Sequence, residues 1–127
     1  MKNSIVWNNA EKKFDLFHLQ PVTMNLEQGS IMGLIGENGS GKTTLIKLVL
    51  NLISLSGGNI EVLGMDSVTK QNEIKQKIAF VPDETIFYEM FTAKEVNKII
   101  SKLYVNWQEN VFFDYFQKFE IPVNKNI

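Results

Sequence analysis

The segment Gly36-Glu37-Asn38-Gly39-Ser40-Gly41-Lys42-Thr43 constrains this chain more than any other feature. It fits the spacing G-x-x-x-x-G-K-[ST], with a further glycine inside. Before it, Ile31-Met32-Gly33-Leu34-Ile35 is continuously apolar, as in a strand covered on both faces of a parallel sheet. After it, Leu45, Leu48, Val49 and Leu52 recur at helical spacing. A buried strand that runs through glycines into a helix gathers backbone N–H groups and the positive end of the helix dipole at one place. Glycine allows this because it adopts backbone angles that side chains resist. The pattern implies a phosphate-binding loop with MgATP as the expected ligand. Lys42 reaches the β- and γ-phosphates, the Thr43 hydroxyl ligates Mg²⁺, and Thr44 lies toward the α-phosphate.

Composition narrows the class of protein. The chain has 127 residues, enough for one modest core, and is 44% hydrophobic and 21% charged, as in ordinary globular domains. A net charge of −1 lacks the basic footprint of a nucleic-acid binder, so no nucleic-acid partner is expected. There is no cysteine, which excludes disulfides, thiolate metal sites and cysteine nucleophiles. The N-terminus does not read as a signal peptide, and no apolar run approaches the roughly 20 residues of a membrane span. Any link to a membrane is expected to run through a partner.

The rest of the chain alternates short strands with helices. Ile5-Val6-Trp7 reads as a strand closed by Asn8-Asn9, and Val22, Met24 and Leu26 alternate as in a half-buried strand. Residues 54–59 form a turn, Ile60-Glu61-Val62-Leu63 a strand, residues 66–77 a polar helix anchored by Ile74, and Ile78-Ala79-Phe80-Val81 a buried strand stopped by Pro82. Thr92-Ala93-Lys94-Glu95 is a capping box, with Val96, Ile99, Ile100 and Leu103 on one helical face. A second helix starts near Asn106 and Glu109, with Phe112, Phe116 and Phe119 on one stripe. The lone His18 has no metal-ligand cluster around it and reads as a surface or strand-end residue.

These motifs resemble the ATP-binding subunit of an ABC transporter. The likeness runs through residues 29–45, then Ser56-Gly57-Gly58-Asn59-Ile60, residues 78–84 at the place of the family's Q-loop, and Phe91-Thr92-Ala93-Lys94-Glu95. It implies an α/β P-loop NTPase core with an N-terminal antiparallel β element and the start of a helical subdomain, incomplete as a fold. Residues 1–91 would be the core portion and residues 92–127 the start of the subdomain. The resemblance also implies MgATP binding through Gly36, Glu37, Asn38, Gly39, Ser40, Gly41, Lys42, Thr43 and Thr44, with Lys42 as the catalytic residue. Phe14 aligns with the aromatic that stacks on adenine, although a strand-core phenylalanine fits the same position.

The same resemblance implies membrane permease subunits and a second ATP-binding subunit as partners, at the cytoplasmic face of the membrane. Phe87, Tyr88 and Phe91 fall where the family docks a short helix of the membrane subunit, or else pack on the helical subdomain. Asp83 replaces the Q-loop glutamine and joins Thr43 as a candidate Mg²⁺ ligand, since a carboxylate suits a hard cation. The signature motif, the Walker B strand and the switch histidine would follow residue 127. Leu55-Ser56-Gly57-Gly58 imitates the signature but reads as a turn, and Val111-Phe112-Phe113-Asp114 imitates Walker B but keeps helical spacing. Two alternatives stand beside this reading. One is another soluble P-loop NTPase or kinase using Asp83 as acid or base. The other is a nucleotide-dependent binding module without turnover.

Overall fold

The computed structural model describes residues 2–82 and 90–126, which form two compact units, Met1–Ile78 and Ala79–Ile127. In the first, strands β1 (Asn3–Lys13) and β2 (His18–Glu27) are followed by helix α1 (Lys42–Val49). Strand β3 (Gly57–Val62), the short β4 (Met65–Asp66) and the short helix α2 (Gln71–Lys75) complete it. The sheet order is β2-β1-β3-β4, and every pair is antiparallel. The expected N-terminal antiparallel element is therefore present.

Strand β1 runs past the stop expected at Asn8-Asn9, because those residues form a bulge. Trp7 pairs with Met24 and Ala10 with Val22, so β1 holds one residue more than β2 between the two pairs. Asn9 absorbs the extra residue at φ 50°, with its N–H donated to Thr23 Oγ1 at 2.9 Å. The bulge resets the alternation, and Trp7 and Ala10 are both buried despite their odd spacing. A Cβ on Gly58 would lie 2.0 Å from the Asn9 carbonyl oxygen at a φ of +72°, so only glycine lets β3 pass this close.

The core lies on one face of this sheet. Trp7 and Ala10 of β1, Leu19 of β2, and Ile60 and Val62 of β3 cluster with Leu45, Leu48 and Val49 of α1 and Ile74 of α2. Helix α1 has 8 residues, too few to persist alone in water. It is held by burial of its apolar face, at about 1.5–3 kcal/mol for each fully buried leucine or valine.

In the second unit, α3 (Ala93–Leu103) starts at the expected cap, where Glu95 N–H donates to Thr92 Oγ1 at 3.3 Å. Its buried residues are Ala93, Val96 and Asn97, while Ile99 and Leu103 of the expected apolar face are exposed. The buried side carries a polar contact instead. Asn97 Nδ2 donates to Glu109 Oε1 at 2.7 Å, and Trp107 Nε1 donates to Asn97 Oδ1 at 2.8 Å. A buried amide with both ends satisfied turns α3 toward the start of α4 (Glu109–Lys118). Phe112 and Phe116 pack on α4 with ring centroids 4.8 Å apart, and the Val111-to-Asp114 stretch is helical, as its spacing required. Phe119 falls past the helix end and is mostly exposed.

Two expected strands do not form. Residues 31–35 and 78–81 have no strand pairing, and Ile31 and Ile35 are 101% and 100% exposed. A doubly covered parallel strand needs a hydrogen-bonding neighbour, and no parallel pair exists among the described residues. Hydrogen exchange on this chain should thus show fast-exchanging amides at residues 31–35 beside slow ones at Trp7, Ala10, Ile60 and Val62. Equal protection of both sets would mean that residues 31–35 pair with another segment or another copy.

Candidate functional site

The glycine loop opens directly into α1. Gly41 is the N-cap residue at φ 105°, and the first helical bond runs from Leu45 N–H to the Gly41 carbonyl at 2.9 Å. Gly39 is also left-handed, at φ 85°, and Ser40 N–H closes a turn onto the Glu37 carbonyl at 3.1 Å. No side chain caps α1 and its first turn holds no acid, so the positive end of the helix faces the loop unneutralised. A cavity of about 470 Å³ lies there, lined by Phe17, Asn38, Gly39, Ser40, Gly41, Lys42, Thr43 and Thr44. Among the described residues that line it are a lysine and no acidic residue. This is the electrostatic character of an anion site.

The loop residues divide by role. Asn38 through Thr44 line the cavity, whereas Gly36 and Glu37 lie behind it and hold Lys42. The Lys42 ammonium donates to the Gly36 carbonyl and, at 2.9 Å, to the Glu37 carbonyl. A Cβ on Gly36 would lie 2.7 Å from Ser40 Oγ and 3.7 Å from Lys42 Nζ, so this glycine makes room for the folded-back loop. Phosphate oxygens offer Lys42 stronger, charge-assisted acceptors than these carbonyls.

Phe14 is not among the lining residues. Its ring is 44% exposed, with Lys12 Nζ 5.5 Å from the centroid. The aromatic that reaches the cavity is Phe17, whose ring centroid lies 6.3 Å from that of Phe14. Sequence reasoning passed over Phe17, yet a signal existed: Phe17 and Leu19 are two apart at the start of β2 and share a face. A Cβ on Gly41 would lie 3.4 Å from Phe17 Cζ and 2.8 Å from Leu19 Cδ1, so both side chains press on the last glycine of the loop. Asp83, Phe87 and Tyr88 lie outside the described residues. Phe91 lines a groove with Glu95, Lys98, Ile99, Lys102 and Leu103 on α3. No described helix is long and apolar enough to cross a membrane.

The sheet-supported glycine loop, with its lysine and hydroxyls at a helix start, places the chain among P-loop proteins. Comparison with known proteins narrows the class. The chain belongs to the ABC transporter family, whose model matches residues 19–126. It is 33% identical over 107 residues to the ABC transporter ATP-binding protein YtrB of Bacillus subtilis (strain 168), covering 84% of this chain and 36% of that protein. It is 37% identical over 95 residues to the ABC transporter ATP-binding protein NatA of the same organism, covering 74% and 39%. A solved ATP-binding subunit of an ABC transporter superposes with a TM-score of 0.82 at 21% identity, over 96% of this chain and 53% of that one. The chain therefore spans a little over a third of the length of these two curated relatives. The family-level expectation stands, and the incomplete α/β character of the fold agrees with this partial coverage.

The geometry at Gly41 gives a direct test of how the loop is held. Gly41→Ala combines a left-handed backbone with a Cβ that meets Leu19, and should lower stability to urea by about 1–3 kcal/mol. Gly33→Ala meets nothing within 4 Å and should stay within about 0.5 kcal/mol of the parent. Equal effects of the two would contradict the contact between the loop and β2.

Proposed function

We propose that this chain is the ATP-binding portion of an ABC transporter ATPase, in which MgATP binding and hydrolysis drive transport through membrane permease subunits. The observation that carries this reading is the cavity at the start of α1, lined by the glycine-rich loop with Lys42, Thr43 and Thr44, and by no acidic residue among those described. The triphosphate lies along residues 38–44, where loop amides and the helix dipole meet its charge. Lys42 leaves the Gly36 and Glu37 carbonyls and binds the terminal phosphate oxygens, stabilising the charge of phosphoryl transfer. Thr43 lines the cavity and its hydroxyl is a hard oxygen donor, so it fits Mg²⁺, and Asp83 is proposed as a second ligand. When bound, the ion neutralises charge on the β- and γ-phosphate oxygens.

Adenine lies against the aromatic pair Phe14 and Phe17, with Phe17 supplying the nearer surface. By the family resemblance the residue that orients the attacking water is not among these 127 residues, and we propose that the chain alone binds nucleotide with little turnover. The permease partner docks near Phe91, and a second ATP-binding subunit completes the assembly at the cytoplasmic face of the membrane. The relatives support this reading, since YtrB and NatA are both named ABC transporter ATP-binding proteins.

MgATP should raise the melting temperature of the chain, and the rise should grow with nucleotide concentration by mass action. Lys42→Ala should remove that rise, because no backbone amide replaces the ammonium charge. A shift that survives Lys42→Ala unchanged would refute the phosphate-loop assignment.

A further inference from the structure

The turn that joins β1 to β2 carries both Phe14 and Phe17, and its base is tied by a polar cluster that phosphate binding does not use. Glu11 Oε2 and His18 Nε2 lie 2.5 Å apart. On the other side of the ring, Gln20 Nε2 lies 3.0 Å from His18 Nδ1. With the Gln20 amide donating, Nδ1 is the acceptor and Nε2 carries the proton given to Glu11. Lys13 Nζ lies 3.8 Å from the same Glu11 oxygen.

Glu11 also ties the hairpin to β3. Its carbonyl accepts from Ser56 N–H at 2.8 Å, and Lys13 N–H donates to Ser56 Oγ at 2.9 Å. A Cβ on Gly57 would lie 2.9 Å from Glu11 Oε1, so the carboxylate rests on the backbone at the start of β3. The Glu11 side chain is only 20% exposed. It is a fixed post rather than a mobile surface charge.

His18 stands between Phe17 and Leu19, whose side chains both press on Gly41. Leu19 is buried in the core and keeps its place by packing. Phe17 packs against the same core but is only partly buried, so packing holds it less firmly than Leu19. It is the last residue of the turn, held by the bond from Phe14 N–H to its carbonyl at 2.7 Å and by whatever fixes the first residue of β2. That residue, His18, pairs with Lys13 across the hairpin, and its side chain reaches Glu11 two residues further back on β1.

We infer that Glu11 and His18 are positioning residues that hold Phe17 against the phosphate loop, and so govern affinity for the nucleobase rather than for the phosphates. This rests on the nucleotide reading above. Without the pair the start of β2 frays and Phe17 leaves the cavity wall. Leu19 stays seated, so the phosphate loop keeps its support.

Titration calorimetry of the 127-residue chain with MgATP and with magnesium triphosphate tests it. Phe17→Ala should weaken MgATP about three- to ten-fold, the value of one aromatic contact, and leave triphosphate within about two-fold. His18→Ala should reproduce most of that split, and Glu11→Ala should give it from the other side of the pair should His18→Ala not fold. His18→Gln, whose amide reaches the Glu11 carboxylate as Nε2 does, should restore MgATP affinity. Equal loss of both ligands in His18→Ala, or a loss in Phe17→Ala with none in either pair variant, would overturn the positioning role. A parent chain that binds neither ligand would overturn the nucleotide reading itself, and this role with it.

Discussion

Leu45, Leu48 and Val49 bury one face of α1 against the Trp7, Ala10, Ile60 and Val62 side of the sheet, and the phosphate loop takes its position from that contact. The helix is short, and its start carries no side-chain cap, so little besides packing holds it. Because Gly41 is both the end of the loop and the N-cap of the helix, anchoring α1 fixes where the loop amides point. Leu19 and Phe17 then press on Gly41 from β2. The antiparallel sheet is thus the floor under the helix and the side wall of the site at once.

This arrangement separates two kinds of recognition. Phosphate binding depends on backbone geometry and one ammonium, both rooted in the core through α1. Base recognition depends on an aromatic at a hairpin end, only partly buried against the core, and needs further support. The residues proposed for both tasks, apart from Asp83, fall within Met1–Ile78, so they depend on one compact unit. The curated relatives YtrB and NatA extend well beyond the stretch that matches this chain.

Much of the site was legible in the sequence because its signals are local. Glycine spacing gave the loop, helical spacing of Leu45, Leu48 and Val49 gave α1, and the Thr92 hydroxyl three residues before Glu95 gave the start of α3. What escaped depends on pairing between distant segments. The Asn9 bulge is set by Thr23 and by the passage of Gly58, neither visible from the strand itself. On α3 the buried side includes Asn97, which meets Glu109 and Trp107, and neither partner is visible from the apolar pattern of Ile99 and Leu103. Residues 31–35 have the composition of a buried strand, but composition gives no neighbour to bond with, and strand formation is a property of the pair. Phe17 escaped because family register pointed to Phe14, while the alternation at the start of β2 pointed to the residue that lines the cavity.

The most direct measurement is an amide chemical-shift titration of the isotopically labelled chain with magnesium triphosphate, which lacks a base and so isolates the loop. The account predicts that the amides of Gly39, Ser40, Gly41, Lys42, Thr43 and Thr44 move together along one saturable curve, while those of α3 and α4 stay in place. Shifts that are absent at the loop, or that centre on another part of the chain, would contradict it.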